Sequence, residues 1–429
     1  MPASCFLASD YYPPDNFIYQ YKLGPVRGRR KGTTYELESQ RKGSADSELK
    51  QQKKKSGRQG RKSLHRESVR RRKSSDHTKN ARKKLLDQDR RRSSPLSKHY
   101  QKPIKKPDKK DDHSTEDKPP LLKDGEVIRD RWKVIRKLGG GGYGEIYEAW
   151  DTKENIEVAV KTEKSDDPKE VLQMEVVVLR RLQEKPHCCK FFGCGKGSGY
   201  NYLVMSLCGK NLSDLRRGSP HGYFSMSTIC RLAVQTAEAI EDLHGVGFLH
   251  RDIKPSNYAM GRHEPSTHVV FMLDFGLARE YISPRTGEHR SPRAHTKFRG
   301  TVKYASLNAH THKELSRVDD LISWLYMLIE FSKGGLPWRR LRERDDVKVM
   351  KEKLGLQKIV SSFPSEFTQI ALHLKTLEYY SQPDYQLLVS LLRKAMDDLQ
   401  VQDTDPFDWE MSIRRKRSSM PESSQPVDN

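Results

Sequence analysis

Residues 138–146 read LGGGGYGEI and set Gly139, Gly141 and Gly144 at G-x-G-x-x-G spacing. Glycines spaced in this way let backbone amides close over phosphate oxygens, where a Cβ would obstruct them. The flanking sequence decides which fold can use them. In a dinucleotide-binding βαβ unit the glycines open a helix. Here WKVIRK precedes them and EIYEAWD follows, and both are strand-like, so the glycines form a turn between two strands. That excludes the dinucleotide-binding arrangement and leaves a flap that covers phosphates.

The order of elements after the flap narrows the fold further. NIEVAVKTEK continues as a third β run, and DPKEVLQMEVVVLRRLQ reads as a helix with Asp166 or Asp167 as N-cap and Pro168 in its first turn. After YNYLVMSL the pattern is mostly helical, from ICRLAVQTAEAIEDLH to PDYQLLVSLLRKAMDDL. Strands first and helices later predict an α+β chain of two lobes, with a small β-rich N-lobe at about 125–208 and a larger helical C-lobe at about 209–410.

Charge separates the first 124 residues from this domain. They hold 34 Lys and Arg against 16 Asp and Glu, whereas the remaining residues hold 46 against 41. KKKSGRQGRK, RRRKSS and RRRSSP lie among few apolar side chains. Such a stretch cannot bury enough apolar surface to offset its ordering entropy, so residues 1–124 are expected to be a disordered basic tail. Its charge suits docking on acidic surfaces, while the near absence of aromatics between Glu38 and His99 argues against stacking on single-stranded nucleic acid. Residues 411–429 form a short C-terminal tail. The six cysteines contain no CxxC pair, which points to reduced thiols in an intracellular protein, with Cys188 and Cys189 buried and inert. The N-terminus lacks the pattern of a signal peptide, and no apolar run is long enough for a membrane span.

Three further stretches carry chemistry. VAVK puts Lys161 on the strand after the flap. In the following helix Leu172, Leu179 and Leu182 share one face, and Glu175 falls on it too. An acid on a buried stripe is costly unless a cation pairs with it, and Lys161 is the partner in reach. A lysine held in this way can grip α- and β-phosphates. LDFGLA ends an apolar run with Asp274, a carboxylate suited to Mg²⁺. FLHRDIKPSNYAM supplies Asp252 to accept the proton of an attacking hydroxyl and Lys254 to neutralise a transferring γ-phosphoryl group. It also supplies Asn257 as second metal ligand and Arg251 to organise neighbouring loops. Phosphoryl transfer rests on positioning and charge stabilisation, so these groups in this order form a coherent set.

With these motifs the chain resembles the casein kinase I superfamily of protein kinases, and among them most closely the tau-tubulin kinases, over residues 127–410. The marks are LGGGGYGEIYEA, FLHRDIKPSN, MLDFGLARE, RGTVKYASLNAH, VDDLISW, GGLPWR, QPDYQLL and DPFDWE. The resemblance implies a bilobal kinase fold and a serine/threonine protein kinase using ATP and Mg²⁺; a monomer is expected, and the reduced thiols and the basic tail, which also suits nuclear import, point to a cytoplasmic and also nuclear protein. It implies an adenine pocket from Leu138, Ile146, Ala159, Met205 as gatekeeper, Ala259 and Leu273, with hinge hydrogen bonds from the backbone of Ser206 and Cys208. Asp320 matches the helix acid that braces the catalytic loop. Most kinases end the activation segment in APE, whose Glu pairs with a distant Arg. Here Ser306-Leu307-Asn308 and Pro383-Asp384-Tyr385 stand at the two positions, so both halves of that pair are missing. Lys303 stands where related sequences carry Arg, which replaces a bidentate fork by a point charge.

Between Arg285 and Lys303 the segment holds Arg285, Arg290, Arg293, Lys297, Arg299 and Lys303 against Glu288 alone. Beside a catalytic site this excess suggests acidic or phosphorylated protein substrates, with Arg299 and Lys303 binding the anion; the tau-tubulin likeness adds microtubule-associated ones. Two other readings compete. A pseudokinase scaffold would need a lesion at Lys161, Glu175, Asp252, Asn257 or Asp274, and none is present. A basic cytoskeletal or nucleic-acid binder rests on the tail alone.

Overall fold

The computed structural model describes residues 119–141, 144–166 and 171–411. The basic tail up to residue 118, Asp167, Pro168 and the chain from residue 412 lie outside the described residues, and so do the expectations made for them.

Six antiparallel strands build the N-lobe: β1 (Val127–Ile128), β2 (Trp132–Gly141), β3 (Gly144–Asp151), β4 (Ile156–Lys164), β5 (Phe191–Lys196) and β6 (Tyr200–Ser206), in the order β1-β2-β3-β4-β6-β5. Side chains two apart share a face of a strand. Tyr147 and Ala149 of β3, Val158 and Val160 of β4, and Tyr202 and Val204 of β6 therefore pack together on one face. Ala159, Leu203 and Met205 point the other way, onto Leu172, Val176 and Leu179 of helix α1 (Val171–Arg181). Lys161 is two residues from Ala159 and so lies on the helix side. The expected boundary at residue 124 is corrected, because Leu122 is buried in the sheet's core. The Leu121 and Leu122 amides also donate to Glu145 Oε2 (2.8 Å) and the Tyr147 hydroxyl (3.0 Å). Two leucines in KPPLLKD carry no strand periodicity, so the sequence merges them with the tail.

The C-lobe is helical: α2 (Leu212–Gly218), α3 (Met226–Gly245), α4 (Leu307–His310), α5 (Arg317–Lys333), α6 (Arg344–Ile359), α7 (Ser365–Thr376) and α8 (Tyr385–Asp398). Helix α5 is apolar almost all round, with Leu321, Trp324, Leu325, Leu328 and Phe331 buried, as a helix at the centre of a lobe must be. It starts in a capping box in which Ser316 and Asp319 satisfy each other's backbone. Two small two-stranded sheets lie beside the helices: β7 (Phe248–Leu249) with β10 (Arg279–Glu280), and the hairpin of β8 (Tyr258–Met260) with β9 (Val270–Met272). The linker after β6 is stitched to this hairpin, since Gly209 N–H donates to Met260 O (2.8 Å) and Met260 N–H to Lys210 O (3.2 Å).

Candidate active site

The β8–β9 hairpin brings the distant motifs together. Its register pairs Tyr258 with Met272 and Met260 with Val270, so the chain entering β8 runs beside the chain leaving β9. The Leu273 amide donates to Asn257 O at 2.8 Å. Asp252 to Asn257 on one strand end and Asp274 on the other thus become neighbours.

Asp252 is buried. Its Oδ2 accepts from Lys254 Nζ (2.6 Å) and its Oδ1 from Thr301 Oγ1 (2.7 Å). Asn257 uses Nδ2 on the Asp252 carbonyl (2.9 Å), which leaves its Oδ1 for a cation. Arg251 has φ +66°, a left-handed conformation that costs a non-glycine residue about 1–2 kcal/mol. Asp320 at the start of α5 holds it there. Its carboxylate accepts from the His250 amide (2.7 Å), the Arg251 amide (2.8 Å) and His244 Nε2 (3.0 Å). Burial pushes the Asp320 carboxyl up, but the bonds from His244 and His250 outweigh it and hold the group below the usual carboxylate range. The Arg251 guanidinium donates to the Leu277 carbonyl (2.8 Å) and so ties this loop to the turn after Asp274.

Lys161 sits between two carboxylates. Its Nζ is 2.5 Å from Glu175 Oε2 and 3.1 Å from Asp274 Oδ1, and both Lys161 and Glu175 are buried. Burial alone would lower the lysine, yet Glu175 and Asp274 together raise it above its ordinary value, so it remains an ammonium. For Asp274 burial acts upward and Lys161 downward, and the lysine prevails. The helix face predicted from Leu172 and Leu179 therefore delivers Glu175 to Lys161, and Asp274 joins them from the C-lobe.

The glycine turn is a hairpin, with Gly139 opposite Ile146 and Gly141 opposite Gly144. Gly144 has φ +123°, and a Cβ there would stand 1.9 Å from the Thr162 carbonyl, so packing demands glycine. Nothing within 4 Å would meet a Cβ at Gly139. Of the residues expected around an adenine ring, Ala159 and Met205 are register partners on the cleft side of the sheet, and both are buried. Ala259 is buried in β8, Ile146, Leu273, Ser206 and Cys208 are half-buried, and Leu138 is exposed on the flap. The Ser206 amide already donates to the Lys190 carbonyl (2.9 Å), so any hinge bond from Ser206 is limited to its carbonyl. Cys208 Sγ lies 3.4 Å from Cys189 Sγ; that contact, and then burial, raise the Cys189 thiol, and burial raises that of Cys188, which suits inert cysteines although Cys188 is only half-buried.

Residues 132–398 match the family model of the protein kinase domain. The chain belongs to the protein kinase family. It is similar to a Dictyostelium discoideum protein provisionally named as a serine/threonine-protein kinase, 43% identical over 287 residues, 67% of this chain and 58% of that protein. The chain thus spans less than two thirds of that relative. It is also similar to serine/threonine-protein kinase spe-6 of Caenorhabditis elegans, 33% identical over 298 residues, 68% of this chain and 78% of the relative. A further C. elegans protein, provisionally named as a casein kinase I, is 31% identical over 296 residues, 67% of this chain and 85% of its own length. Two of these relatives are named as serine/threonine-protein kinases and the third as a casein kinase I.

The kinase's activation segment departs from expectation. Lys303 is not free to bind an anion, because its Nζ pairs with the buried Glu330 at 2.5 Å, and Arg216 reaches the same carboxylate at 3.2 Å. Arg290 pairs with Glu280 (2.5 Å), and Arg293 is ion-paired with Glu314. Three of the six cations of the segment are therefore neutralised by acids outside it. Arg285, Lys297 and Arg299 stay exposed, and Arg299 acts on Arg251, which burial, then Arg279 and Arg299, push down to about 10. The missing APE ion pair has substitutes. Ser306 Oγ and Asn308 Nδ2 both donate to Asp319 Oδ1 (2.6 and 3.0 Å). Asp384 caps α8, and the Tyr385 hydroxyl meets His244 Nδ1 at 2.5 Å. Sequence reasoning missed Thr301 and Glu330, since a threonine or glutamate carries no sign of a partner dozens of residues away.

Proposed function

We propose that the kinase transfers the γ-phosphoryl group of ATP to serine and threonine hydroxyls of proteins. The observation that carries this reading is the Asp252 carboxylate, held by Lys254 and Thr301 on a braced loop beside the Lys161–Asp274 pair. The attacking hydroxyl hydrogen-bonds to Asp252, which accepts its proton as the new P–O bond forms and the bond from the γ-phosphorus to the bridging oxygen breaks, releasing ADP. Lys254 neutralises charge on the moving group, and Lys161, kept cationic by Glu175, grips the remaining phosphates. Asp274 and the Asn257 Oδ1 form an oxygen donor set of the kind Mg²⁺ takes, with two protein ligands and the rest left to phosphate and water. ATP is the phosphoryl donor, and Mg²⁺ held by Asp274 and Asn257 would supply the positive charge that screens its phosphates. The adenine lies between Leu138, Ile146, Ala159, Met205, Ala259 and Leu273.

The likeness of the kinase to the tau-tubulin branch supports cytoskeletal substrates, and exposed Arg285, Lys297 and Arg299 support acidic or phosphorylated ones. With Lys303 paired, that second preference rests on Arg299 and its neighbours. The basic tail docks the enzyme on acidic surfaces, which accords with a cytoplasmic and partly nuclear protein. The test is radiolabel transfer to casein and to tubulin with phosphoamino-acid analysis, for wild type and Asp252→Asn. Phosphoserine or phosphothreonine is expected from wild type. Phosphotyrosine, or Asp252→Asn activity above about a tenth of wild type, would refute the reading, since a general base is worth roughly 100-fold or more.

A further inference from the structure

Helix α6 carries the run KVMKEK, which has the look of a solvated surface. Lys351 within it is nevertheless 1% exposed. Its Nζ donates to the Val302 carbonyl (2.8 Å) and the Ala305 carbonyl (2.7 Å) and lies 3.2 Å from His310 Nε2. The Tyr326 and Trp338 rings flank it, at 5.1 and 5.0 Å from their centroids. Both carbonyl bonds are open to the neutral amine as well as to the ammonium, since even the amine keeps two N–H donors. Burial, and then Lys351 itself, keep His310 neutral by pushing it down to about 4, so its Nε2 can accept.

The loop that Lys351 grips is the one that meets the catalytic carboxylate. Gly300 has φ +91°, and a Cβ there would lie 2.6 Å from the Arg251 carbonyl. Thr301 then bonds Asp252, and Ser306 is fixed to Asp319. Between them the Val302 and Ala305 carbonyls are held by Lys351, and the Lys303 carbonyl by Trp338 Nε1 (2.8 Å). In a kinase with neither half of the APE ion pair, a buried lysine thus clamps the segment by its backbone. A chain that presents its hydroxyl to Asp252 must pass along this loop.

We propose that Lys351 is a positioning residue for the protein substrate: it holds residues 302–305 in the shape against which the acceptor chain binds. This rests on the phosphoryl-transfer reading above. Because the clamp acts on the acceptor side and not on the nucleotide, its loss should appear in one Michaelis constant only.

Lys351→Met keeps the side chain's length and its contact with both rings while removing every donor. With a casein serine peptide, the folded variant is expected to raise the peptide KM about tenfold or more while the ATP KM stays within about twofold. Lys351→Gln, which retains an amide donor, should fall between the two. Amide hydrogen exchange at residues 300–306 should be faster in Lys351→Met, a readout that needs no catalysis. A merely structural lysine would reduce the active fraction and leave the peptide KM of the folded enzyme unchanged, and that result, with unchanged exchange at 300–306, overturns the proposal. Should Lys351→Met not be recovered folded, Lys351→Gln decides alone, with a peptide KM raised about threefold or more expected and an unchanged one refuting. A wild type inactive on every acceptor refutes the kinase reading instead and leaves the exchange measurement to judge the clamp.

Discussion

Asp320→Asn isolates what braces the catalytic loop, because it preserves shape and changes only donors and acceptors. All three partners of the carboxylate are nitrogens: the His250 amide and His244 Nε2 on Oδ2, and the Arg251 amide on Oδ1. Whichever way the asparagine amide turns, its NH₂ faces at least one N–H. In the better orientation the Arg251 amide loses its acceptor, which costs about 1–3 kcal/mol for a buried unsatisfied group, and the other two bonds lose their charge assistance at about 1 kcal/mol each. The sum is about 3–5 kcal/mol of folding stability, measured by urea denaturation. Arg251, at φ +66°, then has less holding it in the left-handed region, and Asp252 follows it. A displacement of about 1 Å at the reacting groups lowers single-turnover transfer on the order of 100-fold. The pH dependence has a definite sign. Asp320 is held below its unfolded value, so its contribution is present above about pH 4 and is lost as pH falls through the folded value, and the variant's deficit must shrink with it. A stability loss under about 0.5 kcal/mol with transfer within about threefold of wild type would refute the brace.

Lys161→Met should abolish transfer and Glu175→Gln should lose a smaller share, and the two losses should not add, because Glu175 acts by holding Lys161 at 2.5 Å. A double variant whose loss equals the sum would show that the residues act independently. Burial pushes Lys351 down to about 7 from an ordinary 10.5, so between those values the unfolded chain holds the extra proton. The stability of wild type relative to Lys351→Met therefore rises with pH across that window, by at most about 1.4 kcal/mol per pH unit, and a flat difference by urea denaturation at stepped pH contradicts it. Tail docking should weaken steeply with salt as the Debye length shrinks to about 8 Å near 0.15 M, whereas transfer to a short peptide should change little. Equal co-sedimentation with microtubules by full-length protein and protein lacking residues 1–118, at low salt, would make the tail an inert linker.

The residues that gather at the candidate site were legible in the chain because phosphoryl transfer, the chemistry proposed for them, requires particular residue types at short spacing. Asp252, Lys254 and Asn257 lie within one loop, Asp274 ends an apolar run, and Glu175 betrays itself as an acid on an apolar helix face. Such signals are local, and local periodicity is what a sequence displays. The strand-then-helix order of the two lobes was legible for the same reason, while Leu121 and Leu122, without periodicity, were assigned to the wrong side of the boundary.

Tertiary structure decided which charges are available. Lys303, expected to bind an anion, is instead neutralised by Glu330, and Lys351, in a charged run, is buried against two backbone carbonyls. Glu330 lies on α5 and Lys351 on α6, each reaching the activation segment across the lobe. A charged side chain reports its type along the chain but not its partner, because desolvation and pairing depend on which surfaces the fold brings together. By itself the sequence determined the chemistry that the kinase can perform. Which cations remain to meet a substrate, and what holds the loop on which that substrate binds, were set only when α5 and α6 packed beneath residues 302–305.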